Sequence, residues 1–113
     1  MAKISNAKFE VEKFNGKNNF ELWKLKARDM LVQQGLHRAL DGKAKKPAGM
    51  DDDDWEDLDM RALSSIRLCL ADEVLFNIVG EKTAAGIWSR LESLYMTKYV
   101  MNRIYLKRQL YTL

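Results

Sequence analysis

The stretch NGKNNFELWKLKARDMLVQQG, residues 15–35, decides the fold class of this chain. Asn15-Gly16-Lys17-Asn18-Asn19 is a cluster of turn formers, and Asn18 or Asn19 is placed to cap a helix, because a short side-chain oxygen can accept from backbone N–H groups that a helix start leaves unpaired. Phe20, Trp23, Ala27, Met30 and Leu31 follow at the spacing that puts them on one helical face, while Lys24, Lys26 and Arg28 fall elsewhere. Gly35 stands where a helix end favours a left-handed residue. A helix with its own cap and its own stop is predicted between them.

Working outward, residues 1–13 lack helical periodicity and are expected to form an extended arm, so the folded lobe is placed at residues 14–113. Leu36 to Leu40 reads as a short turn, and Asp41 to Gly49 as an exposed loop open to proteolysis, having almost no apolar side chain to bury. Asp51 to Asp54 then open the longest helical pattern. Its stripe of Trp55, Leu58, Ala62, Ile66, Cys69 and Leu70 runs into Ala71, and its acids suit the positive end of a helix dipole. Asp72 is expected to cap a short helix through Val74, Leu75, Ile78 and Val79, ended by Gly80. Thr83 caps Ala84 to Tyr95, with Ile87, Trp88, Leu91, Leu94 and Tyr95 on one side. Gly86 is discordant there, costing about 1 kcal/mol against Ala in a helix interior. Lys98 to Leu113 contains no breaker and reads as a helix continuing toward a second lobe beyond this chain. One proline and six glycines argue against a turn-rich β-sandwich. The expectation is an all-α, compact bundle of about five to six helices.

The 113 residues are 47% hydrophobic and 31% charged, which fits one globular domain large enough to fold without a metal or disulfide. A single cysteine, Cys69, and a single histidine, His37, exclude a Cys/His zinc cluster or internal disulfide and suit a reducing, intracellular location. No apolar run approaches the roughly 18 residues of a membrane span, and the Lys-spotted start lacks a secretory h-region, so no membrane contact is expected. The net charge of +3 conceals a dipolar pattern. Residues 1–50 hold eleven Lys/Arg against five acids, residues 51–61 one Arg against seven acids, and residues 98–113 four Lys/Arg with no acid.

Catalytic chemistry finds little footing. A nucleophile needs an oriented base, and Cys69 lies in an apolar stripe while His37 sits in a distant polar turn. Carboxylates at Asp51 to Asp54 invite a Ca²⁺ reading, but a loop template beginning at Asp51 has Glu56 where Gly is needed and Ala62 where Glu is needed. Phosphate-binding, dinucleotide, zinc-protease and nucleophile-elbow motifs are missing, so neither enzymatic activity nor a cofactor is expected. Trp23, Trp55 and Trp88 fall on apolar stripes and read as core anchors. Tyr95, Tyr99, Tyr105 and Tyr111 interleave with Lys98, Arg103, Lys107 and Arg108, a pattern compatible with weak RNA contact, although a packing helix with snorkelling cations is the simpler account.

Several of these residues also carry a family likeness. Phe14-Asn15-Gly16-Lys17-Asn18-Asn19-Phe20 with Trp23, then Thr83-Ala84 with Trp88, Leu91 and Tyr95, then Arg103, Leu106 and Leu110, resembles the Gag polypeptide of copia-type LTR retrotransposons, especially the plant ones. The resemblance implies a retroviral-capsid-like N-terminal lobe, assembly of cytoplasmic virus-like particles around the element's RNA, and no enzymatic activity in Gag itself. Full Gags of this kind continue into a second helical lobe and usually a CCHC zinc knuckle, and neither fits within 113 residues.

The expected work is protein–protein contact between copies of this chain. Particle assembly needs complementary patches, and the acidic helix start (Asp52, Asp53, Asp54, Glu56) is expected to face Lys43, Lys45 and Lys46 of a neighbour. Ile104, Leu106, Leu110 and Leu113 are expected to cross to the next lobe or pair with their copies. The competing expectation is a host-adopted, monomeric or dimeric adaptor whose groove takes a partner peptide. Phe20, Trp23, Met30, Leu58, Ile66, Trp88, Leu91 and Tyr95 are expected in the core.

Overall fold

In the turn that precedes the first helix, each asparagine satisfies backbone groups. Asn15 Oδ1 accepts from the N–H groups of Lys17 and Asn18, Asn18 Oδ1 accepts from Asn15 N–H, and Asn19 Oδ1 accepts from Leu22 N–H at 3.0 Å. Of the two candidate caps it is Asn19 that starts the helix. The computed structural model describes residues 11–96, so the expected arm at residues 1–13 lies largely outside the described residues. Among them are four α-helices: α1 (Phe20–Gln33), α2 (Asp52–Leu68), α3 (Asp72–Ile78) and α4 (Ala84–Leu91). 3-10 turns cover His37–Asp41 and Lys43–Lys45, and α4 runs on into a π turn, Glu92–Met96.

Helix α1 stops as its sequence dictates. Leu36 N–H donates to Leu31 O at 2.8 Å and Gly35 N–H to Val32 O at 3.0 Å, the paired bonds of a Schellman motif, with Gly35 at φ +74°. Leu31 and Leu36 are both buried, which supplies the apolar contact that accompanies the motif. The following turn His37–Asp41 touches α1, α2 and α4. It is a single 3-10 turn, too short to propagate as an α-helix. The class is therefore all-α as expected, with fewer helices among the described residues than the five to six anticipated, and the segment 98–113 lies outside them.

Helix α2 begins with Asp51, whose side chain accepts from Asp53 N–H, and ends at Leu68, short of the expected Ala71. The cause is tertiary. Phe14 N–H donates to Cys69 O at 3.0 Å and Ala71 N–H donates to Phe14 O at 2.9 Å, so residues 69–71 leave the helix to make a parallel bridge between Phe14 and Leu70. Ala71, with no side-chain cap bond, is then the N-cap of α3, and Asp72 becomes its first residue.

The core is one apolar cluster drawn from all four helices and the arm. Phe20, Trp23, Met30, Ile66, Trp88 and Leu91 are buried in it. Leu58 and Tyr95 are corrected from core to margin: both are half-buried and pack against the cluster from outside. Phe14, absent from the expected core, is buried at its centre, with ring centroids 5.2 Å from Phe20, 5.7 Å from Trp23 and 4.8 Å from Tyr95.

Candidate functional site

Chemistry based on the titratable groups is poorly served by their placement. Cys69 is buried with Sγ 3.6 Å from Met30 Sδ, and burial pushes its thiol above the ordinary value, which disfavours the nucleophilic thiolate. Among the described residues no group of three or more His, Cys, Asp or Glu is arranged to hold a metal ion. Asp51 to Asp54 are exposed at the start of α2, where Asp51 serves as the cap. Trp23, Trp55 and Trp88 are buried, which removes them as stacking platforms for bases. No helix among the described residues is long and apolar enough to cross a membrane.

The charged patches meet within one chain. Lys46 Nζ hydrogen-bonds Asp52 Oδ1, and this ammonium, helped by the field of Lys43, holds the Asp52 carboxyl below its ordinary value. The expectation that Lys46 and Asp52 face each other across two copies is corrected to this extent. Lys43, Lys45, Asp53, Asp54 and Glu56 remain exposed around the pair. A second ion pair, Lys24 Nζ to Glu92 Oε2 at 2.9 Å, ties α1 to the π turn after α4.

Exposed apolar side chains form the more informative surface. On α3, Phe76 and Val79 stand at i and i+3 with 80% and 61% of their areas exposed, although Val79 was expected on the inner stripe. Leu68 at the end of α2 and Met60 on the same helix are also exposed. On α1, Leu22, Leu25 and Val32 face solvent, and an open cleft of about 130 Å³ lies beside them against Val11, Asn18 and Asn19. The i, i+3, i+10 spacing of Leu22, Leu25 and Val32 was readable in the sequence, but the stronger stripe beginning at Phe20 obscured it. Ile104, Leu106, Leu110 and Leu113, with Lys98, Arg103, Lys107 and Arg108, lie outside the described residues.

The likenesses to known proteins agree with a non-catalytic surface of this kind. Residues 27–113 match the family described as gag-polypeptide of LTR copia-type. The chain is 57% identical over 110 residues to the Retrovirus-related Pol polyprotein from transposon TNT 1-94 of Nicotiana tabacum. That alignment covers 97% of this chain but 8% of the polyprotein. No solved structure matches the fold. With the family matched across most of the chain, and the relative aligned through the asparagine turn and all four helices, the chain belongs to the copia-type LTR gag-polypeptide family.

Proposed function

We propose that this chain is a capsid-like assembly lobe of a copia-type Gag, which self-associates through protein–protein contacts to build particles that package the element's RNA, without catalysing a reaction. The observation that carries this reading is the set of large apolar side chains left in solvent around a closed core: Leu22 and Leu25 on α1, Met60 and Leu68 on α2, Phe76 and Val79 on α3. Single exposed apolar residues are ordinary, whereas grouped ones on helix faces mark surfaces that gain by being covered. A lobe of this size cannot close a particle alone, so a downstream second lobe is its expected covalent partner, and its setting is the cytoplasm.

Light scattering after size exclusion, over a concentration series at low and high salt, tests the proposal. Mass that grows with concentration supports assembly, and persistence of that growth in high salt assigns it to the apolar faces over the charged ones. A fixed monomer throughout favours the adaptor function instead. RNA affinity that falls steeply with salt is expected if the lobe itself helps hold the cargo.

A further inference from the structure

Helix α1 is amphipathic on two opposite faces. At 100° per residue, the mean direction of Leu22, Leu25 and Val32 lies about 180° from that of the buried stripe Phe20, Trp23, Ala27, Met30 and Leu31. The outer three are 48%, 58% and 39% exposed where a surface helix is ordinarily polar. Asp29 fills the remaining i+7 position of this outer seam. Glu21 and Arg28 flank the seam on one side, Lys26 and Gln33 on the other, all exposed. Among the described residues, neither Glu21 nor Arg28 has an ion-pair partner.

We propose that the outer seam of α1 docks antiparallel, about a twofold axis, on the same seam of a second copy of this chain. The inference rests on the self-association proposed above and names the surface that performs it. Charge decides both the occupant and the orientation. In a parallel pair Asp29 would meet Asp29 in the apolar seam, a like-charge clash that costs stability. In the antiparallel pair Leu22 meets the second copy's Val32, and Leu25 meets its Asp29, which is then level with Lys26 and close to a cation. Glu21 of each copy reaches Arg28 of the other across the flank, so a single pairing rule satisfies both sides of the twofold. The cleft lined by Val11, Asn19, Leu22 and Trp23 lies where the second copy's Val32 would enter. A contact of one helix on one helix is small, so the association is weak and reversible in isolation.

Sedimentation equilibrium up to about 1 mM protein, with far-UV circular dichroism to monitor folding, tests this. The wild type is expected to form dimers, and Leu25→Asp to stay monomeric with its helical signal retained, because Leu25 makes no core contact. Glu21→Arg is expected to weaken the dimer roughly tenfold by setting Arg against Arg. Adding Arg28→Glu to Glu21→Arg is expected to restore it. Rescue is specific to the antiparallel register, since a parallel pair would set Glu21 against Lys26. Association that Leu25→Asp and Glu21→Arg leave unchanged would overturn this surface while sparing the proposed self-association, and Phe76→Asp would then test the α3 face. Failure of the double variant to restore binding overturns the antiparallel pairing. A wild type monomeric at about 1 mM overturns the surface and the self-association together.

Discussion

The indole Nε1 of Trp23 donates to the carbonyl oxygen of Cys69 at 3.0 Å, an oxygen that also accepts Phe14 N–H at 3.0 Å. This carbonyl lies just past the last residue of α2, among the groups that a helix end leaves unpaired. Its two acceptor positions are filled by α1 and by the arm. One oxygen therefore joins three segments that are distant in sequence, and places the rings of Phe14 and Trp23 5.7 Å apart in the core.

Replacing Trp23 with Phe keeps an aromatic ring but removes the indole donor. Cys69 O retains Phe14 N–H, so the expected loss is about 1–2 kcal/mol, a hydrogen bond plus the smaller ring. Urea denaturation measures it, and exchange of the Phe14 amide should quicken as the bridge loosens.

Trp88 packs against Trp23 with ring centroids 5.8 Å apart and is 9% exposed. Trp88→Ala leaves a cavity in the cluster, with an expected cost of roughly 3–5 kcal/mol. A domain of this size has little more than that to lose, so the variant should be largely unfolded at 37 °C by circular dichroism.

Gly86 reverses the usual sign of a helix Gly→Ala change. Its N–H donates to Thr83 Oγ1 at 3.0 Å, and an added Cβ would lie 2.8 Å from that oxygen and 2.9 Å from Glu81 Oε1. The flexible Glu81 carboxylate can move away, but the Thr83 hydroxyl moves only by giving up the cap. Gly86→Ala is expected to destabilise by about 0.5–1 kcal/mol, the loss of a cap outweighing the gain in propensity. With Thr83→Ala already in place, the same change should stabilise, and thermal melts of the four variants check both signs.

The Lys46–Asp52 pair shows its effect in acid. The hydrogen bond from Lys46, with Lys43 behind it, lowers the native-state value of Asp52 below 3.8, so its contribution is fully present above the unfolded value and is lost as pH falls through the lower native one. An NMR titration should place the Asp52 midpoint below 3.8, and Lys46→Ala should move it upward. Lys46→Glu should disturb this pair whether or not copies associate, so a change in assembly caused by that variant alone does not identify an interface.

Much of the fold was legible locally. Asn19 and Thr83 cap the helices they were expected to cap, Gly35 stops α1, and the stripe from Phe20 to Leu31 is buried throughout. The misplaced residues share a cause. Val79 and Leu94 have helical spacing but no neighbouring element to cover them, and Leu58 and Tyr95 sit where the cluster thins. Of the candidate site, the charge blocks were visible in the sequence, but Lys46 and Asp52 can satisfy each other within one chain only because the loop folds back on the start of α2.

The sequence by itself determined the helical class and most helix starts, because caps, glycine stops and 3.6-residue periodicity act through atoms a few residues apart. Tertiary structure decided where α2 ends, that Phe14 belongs at the centre of the core, and which apolar faces stay in solvent. Those outcomes depend on backbone groups and rings that meet only after folding: the Cys69 carbonyl takes its donors from Phe14 and Trp23, and side chains are buried only where another element arrives to cover them.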